Sequence, residues 1–371
     1  MLSAFNSQKF RFWSFVSMFL LVFVHGYNLN ISYLQPWTTP GEPMTFTAFT
    51  EYWLANGLFR FRIPMLFIIS GYLFALSDKK PYKERSVKRV RTLLYPYLTW
   101  SAVGLLLTFT LELFPYSRNV VAATQMMQID ETRNLLHQYH WYEVLARWIF
   151  FPVSYQLWFI RVLLIYNLAY PALRWCVTNR TARWIFFSIA FLLWLSTAGF
   201  VLIEGEGLLF FSLGIWMQKT NFNIDAPNKW LQPKLWFLVF IFFSVLKTLL
   251  AFNPPFNAIE PVLLLMHKLV VLSGLICAWY GCNKLVRWFM NKGWFVWLSA
   301  FAFMIYVMHA PIVVFATKAI FMQISGWFGY RMLTFVVLPL CLIAISVMIG
   351  ALLRKLLPGV YRFVTGGRGM G

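Results

Sequence analysis

VSMFLLVFVHGYNLN, residues 16–30, decides the fold. It closes a run with no charged residue from Phe12 to Asn30, long enough to form a helix across a bilayer. Within that run stands one side chain that titrates near neutral pH, His25. An ionisable group at membrane depth is costly, so it reads first as functional. Histidine is also the usual general acid or base. The competing reading is an imidazole bonded to a neighbouring helix for packing.

The rest of the chain repeats this pattern. Of its 371 residues, 60% are hydrophobic, 20% aromatic and only 12% charged, which is the composition of a polytopic membrane protein. The net charge of +20 does not point to nucleic acid. Lysine and arginine cluster between apolar spans on alternating sides, as the positive-inside rule requires. Cys176, Cys277, Cys282 and Cys341 show neither a disulfide framework nor zinc-ligand spacing. The five histidines are too scattered to suggest a metal. Lys9 and Arg11 precede the first span but no small-residue cleavage site follows it, so that span is expected to remain as an anchor.

Apolar runs predict an all-α bundle of ten transmembrane helices. They fall at about 12–30, 58–77, 93–114, 154–174, 184–203, 206–218, 235–252, 259–281, 294–316 and 332–353. The sixth is short, and Gly207 and Gly214 suggest that it is broken or tilted. WYEVLARWIFF (141–151) reads as an amphipathic stretch lying in the interface. With both termini cytoplasmic, the inner segments hold 22 of the 32 basic residues against three acids, Asp78, Glu84 and Asp225. That asymmetry predicts an N-in, C-in topology. Residues 1–371 then form a single membrane domain, ending in a disordered basic tail at 358–371. His25, about 20 Å along its helix in a core about 30 Å thick, is placed in the outer half of the membrane.

Other polar residues sit at depth. LFRFRIPMLFIISGYLFAL (58–76) brings Arg60 and Arg62 in at the outer end, level with His25, and its Ser70-Gly71 step permits close helix approach. One arginine is explained by snorkelling to the interface; two together suggest a site. DKKPYKERSVKRVRTLLYPYLTW (78–100) reads as a topogenic cluster and as a cytoplasmic phosphate-binding surface led by Lys88, Arg89 and Arg91. Glu204 and Glu206 mark the outer turn before the sixth helix. Glu206 is explained equally by the helix dipole and by contact with sugar hydroxyls. Trp158 reads as an interfacial aromatic or as a wall of a tunnel. His137 and His140, in the large outer loop, read as solvated.

Six blocks in order, VFVHGYN (22–28), RFRIPMLFIISGYL (60–73), KRVRTLLYPYLTW (88–100), LWFIRVLLIY (157–166), FFSLGIWMQK (210–219) and IYVMHAPIV (305–313), resemble the acyltransferase 3 family. These bacterial multi-pass enzymes of the cytoplasmic membrane move acyl groups, often acetyl, to sugars of surface polysaccharides or related acceptors. The resemblance implies that His25 is the essential histidine and that the donor is a cytoplasmic acyl-CoA, with no permanently bound cofactor. It implies site roles for the Arg62-x-Pro64 block and for the basic run before Pro96-Tyr97. His309 matches a recurrent family position, with Tyr306 one turn before it, as a substrate contact or a core hydrogen bond. Many members carry an arginine eleven residues before the histidine, where this chain has Ser14. Arg11 lies one turn deeper and about 40° from the same helical face, so it is expected to substitute near the CoA end.

The reading is therefore a membrane-embedded O-acyltransferase taking acyl-CoA and a sugar or glycan acceptor. His25 acts either as base or through an acyl-histidine intermediate, with a basic residue such as Arg62 stabilising the oxyanion. The competing class is an exporter or flippase of a polysaccharide or lipid-linked sugar, which would line a pathway with the same charges and consume no acyl-CoA.

Overall fold

The computed structural model describes residues 2–27, 34–199 and 201–370. Secondary structure among them is helical, with two isolated β-bridges and no strand. Five helices are long and apolar enough to cross a membrane: Phe46–Leu76 and Tyr82–Glu112, each including a π-helical turn, Pro233–Phe252, Glu260–Gly281 and Tyr330–Leu356. Two bent pairs, Tyr155–Leu168 with Tyr170–Thr178 (67°) and Ala302–Met308 with Ile312–Ile324 (57°), raise the number to seven if each is one span.

The expected ten are thus not all found as crossing helices. Ala4–His25 begins with a polar turn containing Lys9 and Arg11, and its expected end at Asn30 lies outside the described residues. Arg180–Leu195 and Gly205–Lys219 are 16 and 15 residues long, short of the roughly 20 a bilayer requires. The expected fourth and ninth spans are interrupted where Pro171 and Pro311 remove a backbone donor. Tight helix starts recur at prolines, including Pro115, Pro233 and Pro358.

Two compact units can be distinguished. The first contains Met1–Ser17, Gln35–Val90 and Arg161–Ser299. Its closest packing joins Arg62–Leu76 to Gly205–Lys219. A β-carbon at Gly71 would overlap the Phe211 carbonyl, and one at Gly214 would overlap the Ile68 carbonyl. Of the glycines expected to break the sixth helix, Gly214 instead lets another backbone touch it, and Gly207 makes room for the rings of Phe67 and Tyr166. Gly71→Ala should cost about 1–3 kcal/mol through overpacking, read as a lower melting temperature in detergent. An unchanged melting temperature would show that these helices can separate without penalty.

Also in this unit, Asp78 is an ionic hub. Arg85 Nη1 lies 2.8 Å from Oδ1 and Arg174 Nη1 3.5 Å from Oδ2; Lys219 Nζ pairs with Oδ2, and the Tyr170 hydroxyl donates to it at 2.8 Å.

The second unit contains Met18–Leu34, Arg91–Ile160 and Ala300–Gly371. The loop expected on the outer side is not loose. Leu105, Val120, Val121, Met127, Leu136, Val153 and Phe315 pack into a core. His137, expected to be solvated, is exposed, and it also lies 2.9 Å from Glu112 Oε2 through Nδ1 and 2.9 Å from Arg118 Nη2 through Nε2. Trp141–Ile149 is an amphipathic helix exposing Trp141, Tyr142 and Leu145. The expected disordered tail is a helix, Pro358–Thr365, followed by a seated turn. Arg368 Nη1 donates to the Thr92 carbonyl at 2.8 Å, and its guanidinium lies 4.5 Å from the Phe303 ring centroid. Arg354 Nη1 donates to the Gly369 carbonyl at 2.9 Å. Arg368, and Arg354 before the tail, thus tie it to backbone and aromatic groups, which composition alone does not reveal.

Candidate functional site

His25 ends the helix Ala4–His25. Gly26 follows, where a β-carbon would lie 3.2 Å from Pro339 Cγ and 3.5 Å from Val313 Cγ2. A side chain here would push the helix end away from its neighbours. The His25 ring is half-buried and touches the rings of Tyr155 and His309. Tyr155 stands edge-on at 4.8 Å between centroids, and His309 lies nearly parallel (23°) at 5.4 Å.

Each partner is supplied by an irregularity. Tyr155 opens a 3₁₀ turn, Tyr155–Leu157, before the helix Trp158–Leu168. Gly104 admits this turn, since a β-carbon there would overlap the Ser154 hydroxyl. His309 lies at the break between Ala302–Met308 and Ile312–Ile324. It is 1% exposed. Its Nδ1 is 3.0 Å from the Ile305 carbonyl. A carbonyl only accepts, so Nδ1 carries the proton, and in the neutral ring Nε2 carries the lone pair.

Gln156 ties the two irregularities together. Its Nε2 donates to the carbonyls of Val307 (3.2 Å) and Ala310 (3.0 Å), while its backbone carbonyl accepts the Tyr306 hydroxyl at 2.6 Å. Tyr306 and His309 rings are 6.4 Å apart. Of the residues singled out in the sequence, His25, His309 and Tyr306 are brought together. Trp158 is close by in the chain, with its ring 6.2 Å from that of Phe159, which is itself 6.2 Å from Tyr306.

Arg60, Arg62, Glu204, Glu206, Arg11 and Ser14 belong to the first unit. Arg60 Nε donates to the Ala55 carbonyl (3.0 Å), and buried Arg62 donates through Nη1 to the Phe59 carbonyl (2.8 Å). Both satisfy carbonyls around the π-helical turn Leu54–Leu58, and both act electrostatically on Glu206, as does Lys268. Glu204 caps the helix Gly205–Lys219 by accepting from the amides of Glu206 and Gly207. Arg11 donates to Ser299 Oγ (2.8 Å) and to the Val296 carbonyl (2.6 Å), at the end of the short helix Gly293–Ser299. Ser14 is half-buried, one turn along the same helix.

In the basic run, Lys88 and Arg91 are exposed. Arg89 faces the other way, its guanidinium 5.3 Å from the Phe74 ring centroid. Only part of the run is therefore presented as a charged surface. Among the described residues no group of three or more histidine, cysteine or carboxylate side chains could hold a metal ion.

A titratable ring at a helix end, seated between a tyrosine and a second histidine, suits proton transfer. Residues 8–346 match the acyltransferase 3 family, described as an acyltransferase domain. The chain belongs to this family. As in that resemblance, the matched region contains every candidate residue. The succinoglycan biosynthesis protein ExoH of Rhizobium meliloti (strain 1021) is 25% identical over 362 residues, covering 94% of this chain and 89% of the relative. No solved structure matches. The family therefore sets the reaction class, acyl transfer, and the helices of crossing length make this acyltransferase a multi-pass membrane protein.

Tyr155 and Gln156 escaped the sequence reading. The signal available was Ser154-Tyr155-Gln156, three polar side chains just inside an apolar segment. Lys247 was also missed. It is wholly buried, donates to the Asn56 carbonyl at 2.7 Å and lies 3.5 Å from His267 Nδ1.

Proposed function

We propose that this acyltransferase moves an acyl group, acetyl in the first instance, from cytoplasmic acyl-CoA to a hydroxyl of a surface glycan, from within the cytoplasmic membrane of a bacterium with both termini inside. The observation that carries the reading is the half-buried His25 ring held by Tyr155 and His309. A glycan acceptor is supported by the likeness to a succinoglycan biosynthesis protein. An acyl-CoA donor is supported by the exposed Lys88 and Arg91, since phosphates favour such cations.

In the proposed reaction, neutral His25 takes the proton of the acceptor hydroxyl as its oxygen attacks the thioester carbonyl. The carbon–sulfur bond breaks, and the thiolate leaves and recovers the proton from His25. The products are the acyl ester and free CoA. His309, with its Nδ1 proton committed to Ile305, provides a fixed surface against the imidazole. Arg11 and Ser14 would lie along the donor's approach, and Arg11 would keep its two helix-end bonds there.

Membranes containing the chain, supplied with acetyl-labelled acetyl-CoA and extracted for glycan, should transfer label only when the chain is present. Mass spectrometry then identifies the acetylated sugar. Glycan translocation without consumption of acetyl-CoA would overturn the reading and favour an exporter.

A further inference from the structure

Gln156 is 2% exposed, and its amide can be oriented without ambiguity. Its two side-chain partners at Val307 and Ala310 are both carbonyls. Only the NH2 group can satisfy two acceptors, so Nε2 must face them and the opposite atom must be the oxygen. That oxygen, Oε1, is buried and has no hydrogen-bond partner among the described residues. A buried acceptor left in this state is costly, and native structures seldom leave one without a role.

Its position suggests that role. Gln156 directly follows Tyr155, and its Nε2 spans the carbonyls on either side of His309. Tyr155 and His309 both seat their rings on His25. The amide is thus bracketed by the residues that hold the proposed base, and packing alone does not require an acceptor there.

We infer that Gln156 is a substrate-binding residue whose Oε1 accepts a hydrogen bond from an N–H or O–H group of the substrate beside His25. Two sources carry this chemistry. One is the amide N–H nearest the thioester in the pantetheine arm of the donor; the other is a second hydroxyl on the acceptor sugar. The inference rests on the acyl-transfer reading above. The donor contact would orient the thioester, and the acceptor contact would orient the sugar.

The test compares turnover of substrates with analogues that lack each donor. For the first arm, acetyl-CoA is compared with an analogue in which oxygen replaces that N–H. For the second, methyl hexopyranosides are compared with their monodeoxy derivatives. A site built around a buried acceptor discriminates strongly against an analogue lacking the donor. In the wild type, one arm should show a loss of kcat/KM of about tenfold or more. In Gln156→Leu that loss should disappear, because the acceptor is gone. Gln156→Asn keeps an amide but withdraws the oxygen by one carbon; it should give the same result if the leucine variant does not fold.

Equal penalties in wild type and both variants would overturn the inference, leaving Oε1 bonded to a buried water. The absence of any penalty in the wild type would overturn it as well. Failure of the acyl-transfer reading is separate: the wild type would then consume no acetyl-CoA in either arm.

Discussion

His25→Ala is expected to lower acyl transfer by about 10²–10⁴, the range that a positioned proton acceptor contributes. The geometry makes the effect specific. The ring is placed by the end of a 22-residue helix, by Gly26 against Pro339, and by contacts with Tyr155 and His309. Neither Tyr155 nor His309 can take over with the same geometry. Tyr155 meets the ring at 78°, and His309 has one nitrogen bonded to Ile305. The variant should still insert and give a single thermal transition in detergent, because a half-buried ring contributes little to the helix packing around it. Donor binding by acetyl-CoA should remain within a few-fold, since the change acts on the reacting end. A folded His25→Ala protein with more than a third of wild-type turnover would remove His25 from the chemistry.

Asp78→Asn should have the largest effect on stability, about 3 kcal/mol. Removing one member of a buried ion pair costs about 3–5 kcal/mol, and the lower end applies because Arg174 is 53% exposed. Arg85 and Lys219 are much less exposed, at 8% and 19%, and would lose the carboxylate facing them. The same hub predicts a pH dependence. Burial pushes the Asp78 carboxyl up, but bonds from Lys219 and Tyr170 and the charges of Lys219 and Arg174 outweigh it, so the carboxyl is held below its ordinary value. A folded-state value below the unfolded one stabilises the protein fully above the unfolded value. That contribution is lost as pH falls through the folded value. The gap in melting temperature between wild type and Asp78→Asn should therefore be constant from about pH 7 to pH 5 and narrow below about pH 4. A gap that stays constant to pH 3 would show that Asp78 carries no such charge.

The helical class, the apolar spans and His25 were legible because hydropathy and a titratable side chain at depth are local signals. Gly71 was legible for the same reason, as a small residue in an apolar run. The number of crossing helices was not. A run such as 154–174 looks continuous in composition, yet Tyr155–Leu157 and the bend before Tyr170 divide it. The tail at 358–371 looked disordered because charge and glycine dominate it; its order comes from Arg368 meeting Thr92 and Phe303, partners more than 60 positions away. Arg60 and Arg62 illustrate the limit of reading charges singly. Their donors go to carbonyls around a π-helical turn, and no periodicity in the sequence announces that turn. Gln156 was missed for a related reason, since its significance lies in the orientation of an amide rather than in its identity.

The first helix stops at the imidazole, and that has an electrical consequence. The Gly26 amide donates to the Val22 carbonyl at 2.9 Å, so the carbonyl end of the helix falls at His25. Aligned peptide dipoles place about half a negative charge at such a terminus. When the imidazole becomes a cation in mid-reaction, the backbone itself can serve as its counter-charge, and no acidic side chain need be carried into the hydrocarbon.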